Sequence, residues 1–162
     1  MRLKSVDHIA FAVSNLDRSL EFYRDLLGLE FILRRVWDEE YVRQMVGYPD
    51  ASLDIALLKL PGKQGSPLSA EGFFKPGQGD LMLELIEYQQ PRRSVVPSHL
   101  NTPGNSHLCF IVDDIQELYQ QLRQAEVEFI SEPVAVTAGP NKGRQAVYLR
   151  DPDGIVIQLM QP

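Results

Sequence analysis

Four polar side chains stand in stretches that are otherwise strand-like and apolar: His8, Glu84, His107 and Gln158. Two imidazoles, one carboxylate and one amide oxygen form a mixed N/O donor set suited to a divalent cation. Imidazole suits Zn, Ni, Co and Fe, and a carboxylate adds charge compensation. The reading is a divalent metal ion among Ni, Co, Zn, Mn and Fe, its identity left open. A set of this kind with room for water favours an open, five- or six-coordinate site over a closed structural one. Glu84 lies between Leu83 and Leu85. An ionised carboxylate is costly to bury there, and a shared cation would offset that cost. Any one of these side chains alone would more simply be a hydrogen-bonded strand residue.

A repeat raises the set above that simpler reading. Asp7-His8-Ile9-Ala10-Phe11-Ala12-Val13 matches Ser106-His107-Leu108-Cys109-Phe110-Ile111-Val112 at a constant offset, 107 − 8 = 99. Glu84 and Gln158 also share a frame, Leu83-Glu84-Leu85 against Ile157-Gln158-Leu159. Side chains alternate along a strand, so His8 and His107 oppose the stripes Ile9/Phe11/Val13 and Leu108/Phe110/Val112. The same alternation sets Glu84 opposite Leu83 and Leu85, and Gln158 opposite Ile157 and Leu159. Glu87 falls on the other face of its strand, and His99 lies between the repeats, so neither joins the set.

The elements that must carry these residues can be read from periodicity. After each His strand the pattern turns helical. Ser14 or Asn15 caps the first helix, which shows Leu16, Leu20, Tyr23 and Leu27 at helical spacing and stops at Gly28. Asp113 or Asp114 caps the second, with Ile115, Leu118, Tyr119 and Leu122 as its apolar stripe. Further strands are expected at 29–33, 53–60 and 81–88 in the first half, and at 127–130, 145–149 and 155–160 in the second. Asp151-Pro152-Asp153-Gly154 is turn chemistry joining the last two. Each half reads β-α-β-β-β. Two such modules, each too small to bury its sheet well, would pair into one α+β domain over 1–162. Module one covers about 1–90, a Pro-rich linker about 91–105, and module two about 106–162.

Composition bounds what such a domain does. The chain has 162 residues, 44% of them hydrophobic, which is enough to offset chain entropy without staples. No apolar run approaches a membrane span, and no signal-like stretch opens the sequence. Cys109 is the only cysteine, which excludes an intrachain disulfide and a multi-thiolate metal site. A cytoplasmic protein is expected, with neither nucleic acid nor membrane as partner, since the net charge of −6 opposes a general nucleic-acid surface. No phosphate-cradling loop, dinucleotide fingerprint or nucleophile elbow is present. Cys109, between apolar neighbours, is expected to be buried rather than reactive.

Substrate contacts are fainter. Tyr148 shares the face of the polar set by alternation; its hydroxyl either binds a substrate oxygen or the ring simply packs. Gly139-Pro140-Asn141-Lys142-Gly143-Arg144 is a basic loop. Lys142 and Arg144 there either hold a carboxylate, phosphate or thiol-carrier tail, or are merely solvated. Arg34-Arg35-Val36-Trp37 sets cations beside an aromatic. The Gly/Pro-rich segment 61–79 is either a lid over a site or a solvated excursion.

The paired Asp-His-Ile-Ala-Phe-like strands, Phe22-Tyr23 ahead of Leu27-Gly28-Leu29, and Asp151-Pro152-Asp153-Gly154 ahead of Ile157-Gln158-Leu159 closely resemble the vicinal-oxygen-chelate superfamily. This is the group of glyoxalase I, methylmalonyl-CoA epimerase, extradiol dioxygenases and bleomycin- or fosfomycin-resistance proteins. The resemblance implies paired βαβββ modules whose mixed sheet curls around a metal cup, and a homodimer. It implies that His8 and His107 are the histidine ligands, that Glu84 is the ligand ending module one, and that Gln158 fills the position most often held by Glu. The activity so implied is that of a metal-dependent lyase or isomerase, with Glu84 also the catalytic base acting on a small-molecule substrate through an enediolate. The alternatives are a ligand-sequestering protein without turnover, which the Gln158 departure motivates, and an Fe(II)-dependent dioxygenase.

Overall fold

The structure is a computed structural model that describes residues 6–62, 81–92, 94 and 99–162. It divides into two compact units, Met1–Ser94 and Val95–Pro162. Most of the 61–79 segment, with Phe73 and Phe74, lies outside the described residues.

The first unit runs β1 (His8–Val13), α1 (Leu16–Leu20), a π-helical turn (Glu21–Leu26), β2 (Glu30–Trp37), α2 (Glu40–Val46), β3 (Ser52–Lys59) and β4 (Met82–Gln90). Its sheet has the order β1-β4-β3-β2. β1 is parallel to β4, and the other pairs are antiparallel. The second unit runs β5 (His107–Ile111), α3 (Ile115–Gln124), β6 (Val134–Ala135), β7 (Gln145–Arg150) and β8 (Val156–Gln161). Its order, β5-β8-β7-β6, repeats that topology with β5 parallel to β8. A parallel first pair is what a strand–helix crossover produces, and each unit has one.

The helices begin where side chains satisfy their open N–H groups. Asn15 accepts from the Arg18 amide, and Asp114 accepts from those of Gln116 and Glu117. A second device recurs in both units. The Glu87 carboxylate accepts from the Leu16 amide at 2.7 Å, and the Gln161 side-chain oxygen accepts from the Ile115 amide at 2.9 Å. Each ties the start of a helix to an inner strand of its sheet. The helix-facing side of the first sheet carries Phe11, Val13, Ala56, Leu58, Leu83 and Leu85, all buried with Leu16, Leu20 and Tyr23 of the helical segment. On that side Arg34 pairs with Asp54 at 2.7 Å and with Asp17 of α1, which holds its guanidinium firmly protonated.

Several expected elements differ. The first helix passes into a π-helical turn before the Gly28 stop, where φ is +73°. β2 runs on to Trp37, because Arg34 finds its carboxylates on one face and Arg35 lies over the Trp37 ring at 4.3 Å on the other. α2 has no counterpart among the expected elements: its apolar contacts are few, Val42 and Val46, and it ends at Gly47 with φ +75°. The stretch 127–130 is not a full strand. Phe129 forms a single bridge with Leu149, and the chain resumes pairing at β6. Pro133 between them has no N–H to continue a ladder. The 151–154 turn closes as expected, with Asp151 Oδ1 accepting from the amides of Asp153 and Ile155. Among the described residues no helix is long and apolar enough to cross a membrane.

Candidate metal centre

Register shows which side chains share a face. On the first sheet Ala10 pairs with Glu84, and Glu84 pairs in turn with Leu57 of β3. His8 lies two residues before Ala10 and therefore on the same face. Its Nε2 stands 3.4 Å from Glu84 Oε2. The Glu84 side chain is only 20% exposed, and burial raises its pKa; the His8 ring opposes that shift and Asp7 adds to it. The Asp7 carboxylate meets the other ring nitrogen, with Oδ2 2.9 Å from Nδ1.

The second sheet repeats this register. Cys109 pairs with Gln158 as Ala10 pairs with Glu84, and Gln158 pairs with Tyr148 as Glu84 pairs with Leu57. His107 lies two residues before Cys109. Its ring meets the Tyr148 ring edge-on, with centroids 5.3 Å apart and planes at 87°. Two of the four expected ligands thus share one sheet face in each unit. Within either unit, among the described residues, no three His, Cys, Asp or Glu side chains gather in metal-binding reach.

The donor chemistry fits a divalent cation. A half-buried carboxylate beside an imidazole nitrogen is electrostatically incomplete without positive charge. The repeated register gives the second unit an imidazole and an amide oxygen in the equivalent positions, and both atom types ligate such ions.

The family model of the Glyoxalase/Bleomycin resistance protein/Dioxygenase superfamily matches residues 5–159. The chain belongs to that superfamily.

Superfamily structures share its fold. A glyoxalase family protein from Bacillus cereus superposes with a TM-score of 0.76 at 21% identity, covering 99% of this chain and 95% of that one. Among curated relatives, 2-epi-5-epi-valiolone epimerase from an Actinomyces species is 29% identical, covering 96% of this chain and 78% of that protein. The mitochondrial methylmalonyl-CoA epimerase of Mus musculus is 22% identical, covering 99% and 74%. A lactoylglutathione lyase of Arabidopsis thaliana is 24% identical, covering 95% of this chain and 43% of that protein.

The other candidate residues of this superfamily member lie around the second sheet. Tyr148 is half-buried beside His107, on the face it shares with Gln158. Arg144 is half-buried, with Nη1 3.4 Å from the Met160 sulfur. Lys142 is exposed in the turn before it, its amide donating to Gly139 O. Cys109 is exposed, a correction to the buried expectation: its strand neighbours point to the other face, so they do not cover its thiol. Partial burial still pushes that thiol up, and the Arg144 charge works against the shift. Glu87 lies on the helix-facing side of the first sheet, as strand parity required.

Three features are not evident from the sequence. Asp7 contacts His8 although adjacent strand residues ordinarily diverge. Glu87 and Gln161 hold the helix starts, and their equal spacing from Glu84 and Gln158 is the available signal. The third is an apolar wall on the Glu84 face. Trp37, Leu53, Ile55, Ile86 and Tyr88 pack there with Val42 and Val46 of α2.

Proposed function

We propose that the chain is a metal-dependent lyase or isomerase of the glyoxalase type, acting on a small oxygenated substrate by moving a proton on a carbon next to a carbonyl. The observation that carries the reading is the His8–Glu84 pair: an imidazole nitrogen 3.4 Å from a half-buried carboxylate on one sheet face. The repeated register of His107 and Gln158 supports it, as do relatives bearing the names epimerase and lyase.

In this reading His8, Glu84, His107 and Gln158 hold one divalent ion. Such an ion, when bound, polarises the carbonyl and stabilises the negative oxygen that forms as the proton leaves. Glu84 is the base. Its burial disfavours the ionised form, so its carboxylate is readied to accept a proton at Oε2 or Oε1. Gln158 cannot take up a proton in this role. One carboxylate must therefore both remove the proton and return it, which favours a single-base lyase or isomerase over a two-base epimerase. Tyr148, beside His107, donates its hydroxyl hydrogen to a substrate oxygen. Lys142 and Arg144 meet an anionic portion of the substrate.

The test is exchange in D2O. The zinc-, nickel-, cobalt- or manganese-loaded protein is incubated with a panel of α-hydroxycarbonyl and thioester compounds and followed by NMR. Wash-in of deuterium at the carbon beside the carbonyl, lost in Glu84→Gln, is the expected result. Saturable binding of a panel compound with no exchange would replace this reading with that of a sequestering protein.

A further inference from the structure

Asp7 is the last residue before β1 and takes no part in the proposed proton transfer. Its backbone oxygen accepts from the Met82 amide at 3.4 Å, and its side chain folds back to His8. A neutral imidazole carries one N–H donor and one bare nitrogen. An ionised carboxylate only accepts. The 2.9 Å contact at Nδ1 has ordinary hydrogen-bond length, whereas 3.4 Å at Nε2 lies beyond it.

We infer that Asp7 is a positioning residue for His8: it accepts the Nδ1 proton, fixes the ring's tautomer and rotation, and leaves the Nε2 lone pair aimed toward Glu84 for a divalent cation. The inference rests on the metal-binding reading. Two carboxylates flank this one ring, and their mutual repulsion is relieved by positive charge at Nε2. A partner on the far nitrogen of a ligating histidine also raises the ring's strength as a donor.

The repeat supplies an internal comparison. Position 106 holds Ser where position 7 holds Asp, and the ring of His107 lies roughly perpendicular to that of Tyr148, with centroids 5.3 Å apart. The first histidine is held by charge and the second by packing. The two should respond differently when the preceding residue is changed.

The test uses the full chain. Long-range 1H–15N NMR at a pH where His8 is neutral reads its tautomer, and competition against a chromophoric chelator reads zinc affinity. The expected wild-type tautomer is Nδ1–H, lost in Asp7→Ala. Zinc affinity should fall about 10- to 100-fold in Asp7→Ala. Asp7→Asn, which keeps an acceptor oxygen without the charge, should fall between, and Ser106→Ala should not change it. Circular dichroism of the metal-free variants should match wild type. An Nε2–H tautomer in the wild type, or unchanged zinc affinity in both Asp7 variants, overturns the inference. If the wild type takes up no zinc, the proposed function fails, while the tautomer measurement still decides what Asp7 does.

Discussion

The Nε2 nitrogen of His8 stands 3.4 Å from Oε2 of Glu84, although the two residues lie at opposite ends of the first unit's sequence. The parallel β1–β4 pairing joins them. That pairing also places a half-buried carboxylate where one imidazole stands beside its charge.

Stability against pH should expose that cost in the metal-free protein. A carboxyl whose folded-state pKa is raised binds its proton more tightly when folded. The folded chain is therefore favoured at acid pH, and the advantage is lost as pH rises through the raised value. Glu84→Gln should raise the melting temperature of the metal-free chain at neutral pH, and the gain should vanish once the wild-type carboxyl is protonated. Saturating zinc should reverse the order. Thermal unfolding of both proteins across pH, with and without zinc, checks the sign.

The paired helix anchors give a second prediction. Glu87 accepts from the Leu16 amide with an ionised oxygen and also lies 3.5 Å from Arg92, whereas Gln161 accepts from the Ile115 amide with a neutral one. Hydrogen bonds to charged groups contribute about 1.5–3 kcal/mol and neutral ones about 1 kcal/mol. Glu87→Ala should therefore cost more stability than Gln161→Ala in urea unfolding. Metal affinity should change little in either, because both side chains face the helices.

A third concerns Arg34. Its guanidinium spans Asp54, which is 7% exposed, and Asp17 of α1. Asp54→Ala leaves a half-buried cation with a single exposed partner and should cost about 2–3 kcal/mol. Asp17→Ala, at an exposed carboxylate, should cost under about 1 kcal/mol. Equal losses in chemical denaturation would show that the strand pair does not dominate the interaction.

The duplicated topology is legible in the sequence because strand alternation and helix spacing both repeat around His8 and His107. So is the shared face within each unit, His8 with Glu84 and His107 with Gln158, since a period of two leaves no other choice once the strands are recognised. α2 is hidden because seven residues with two inward valines give too short a period to detect. The broken strand near 129 is hidden because Val127, Phe129 and Ile130 are good strand formers, and Pro133 lies three residues beyond them. Asp7 is hidden for a different reason: alternation sends neighbours to opposite faces, but Asp7 lies just outside the strand and escapes that rule. The exposure of Cys109 is hidden because its apolar neighbours in sequence are not its neighbours in space.

The central claim of the proposed function is that His8, Glu84, His107 and Gln158 are ligands of a divalent ion, and metal titration of single-site variants tests it most directly. The wild-type chain should bind Ni, Co, Zn or Mn saturably, with one ion per set of four ligands. His8→Ala and His107→Ala should each lower that affinity by at least about tenfold, in keeping with loss of a direct donor. A wild-type chain with no measurable affinity for any of the four ions would contradict the account, as would a His107→Ala variant that binds metal like the wild type.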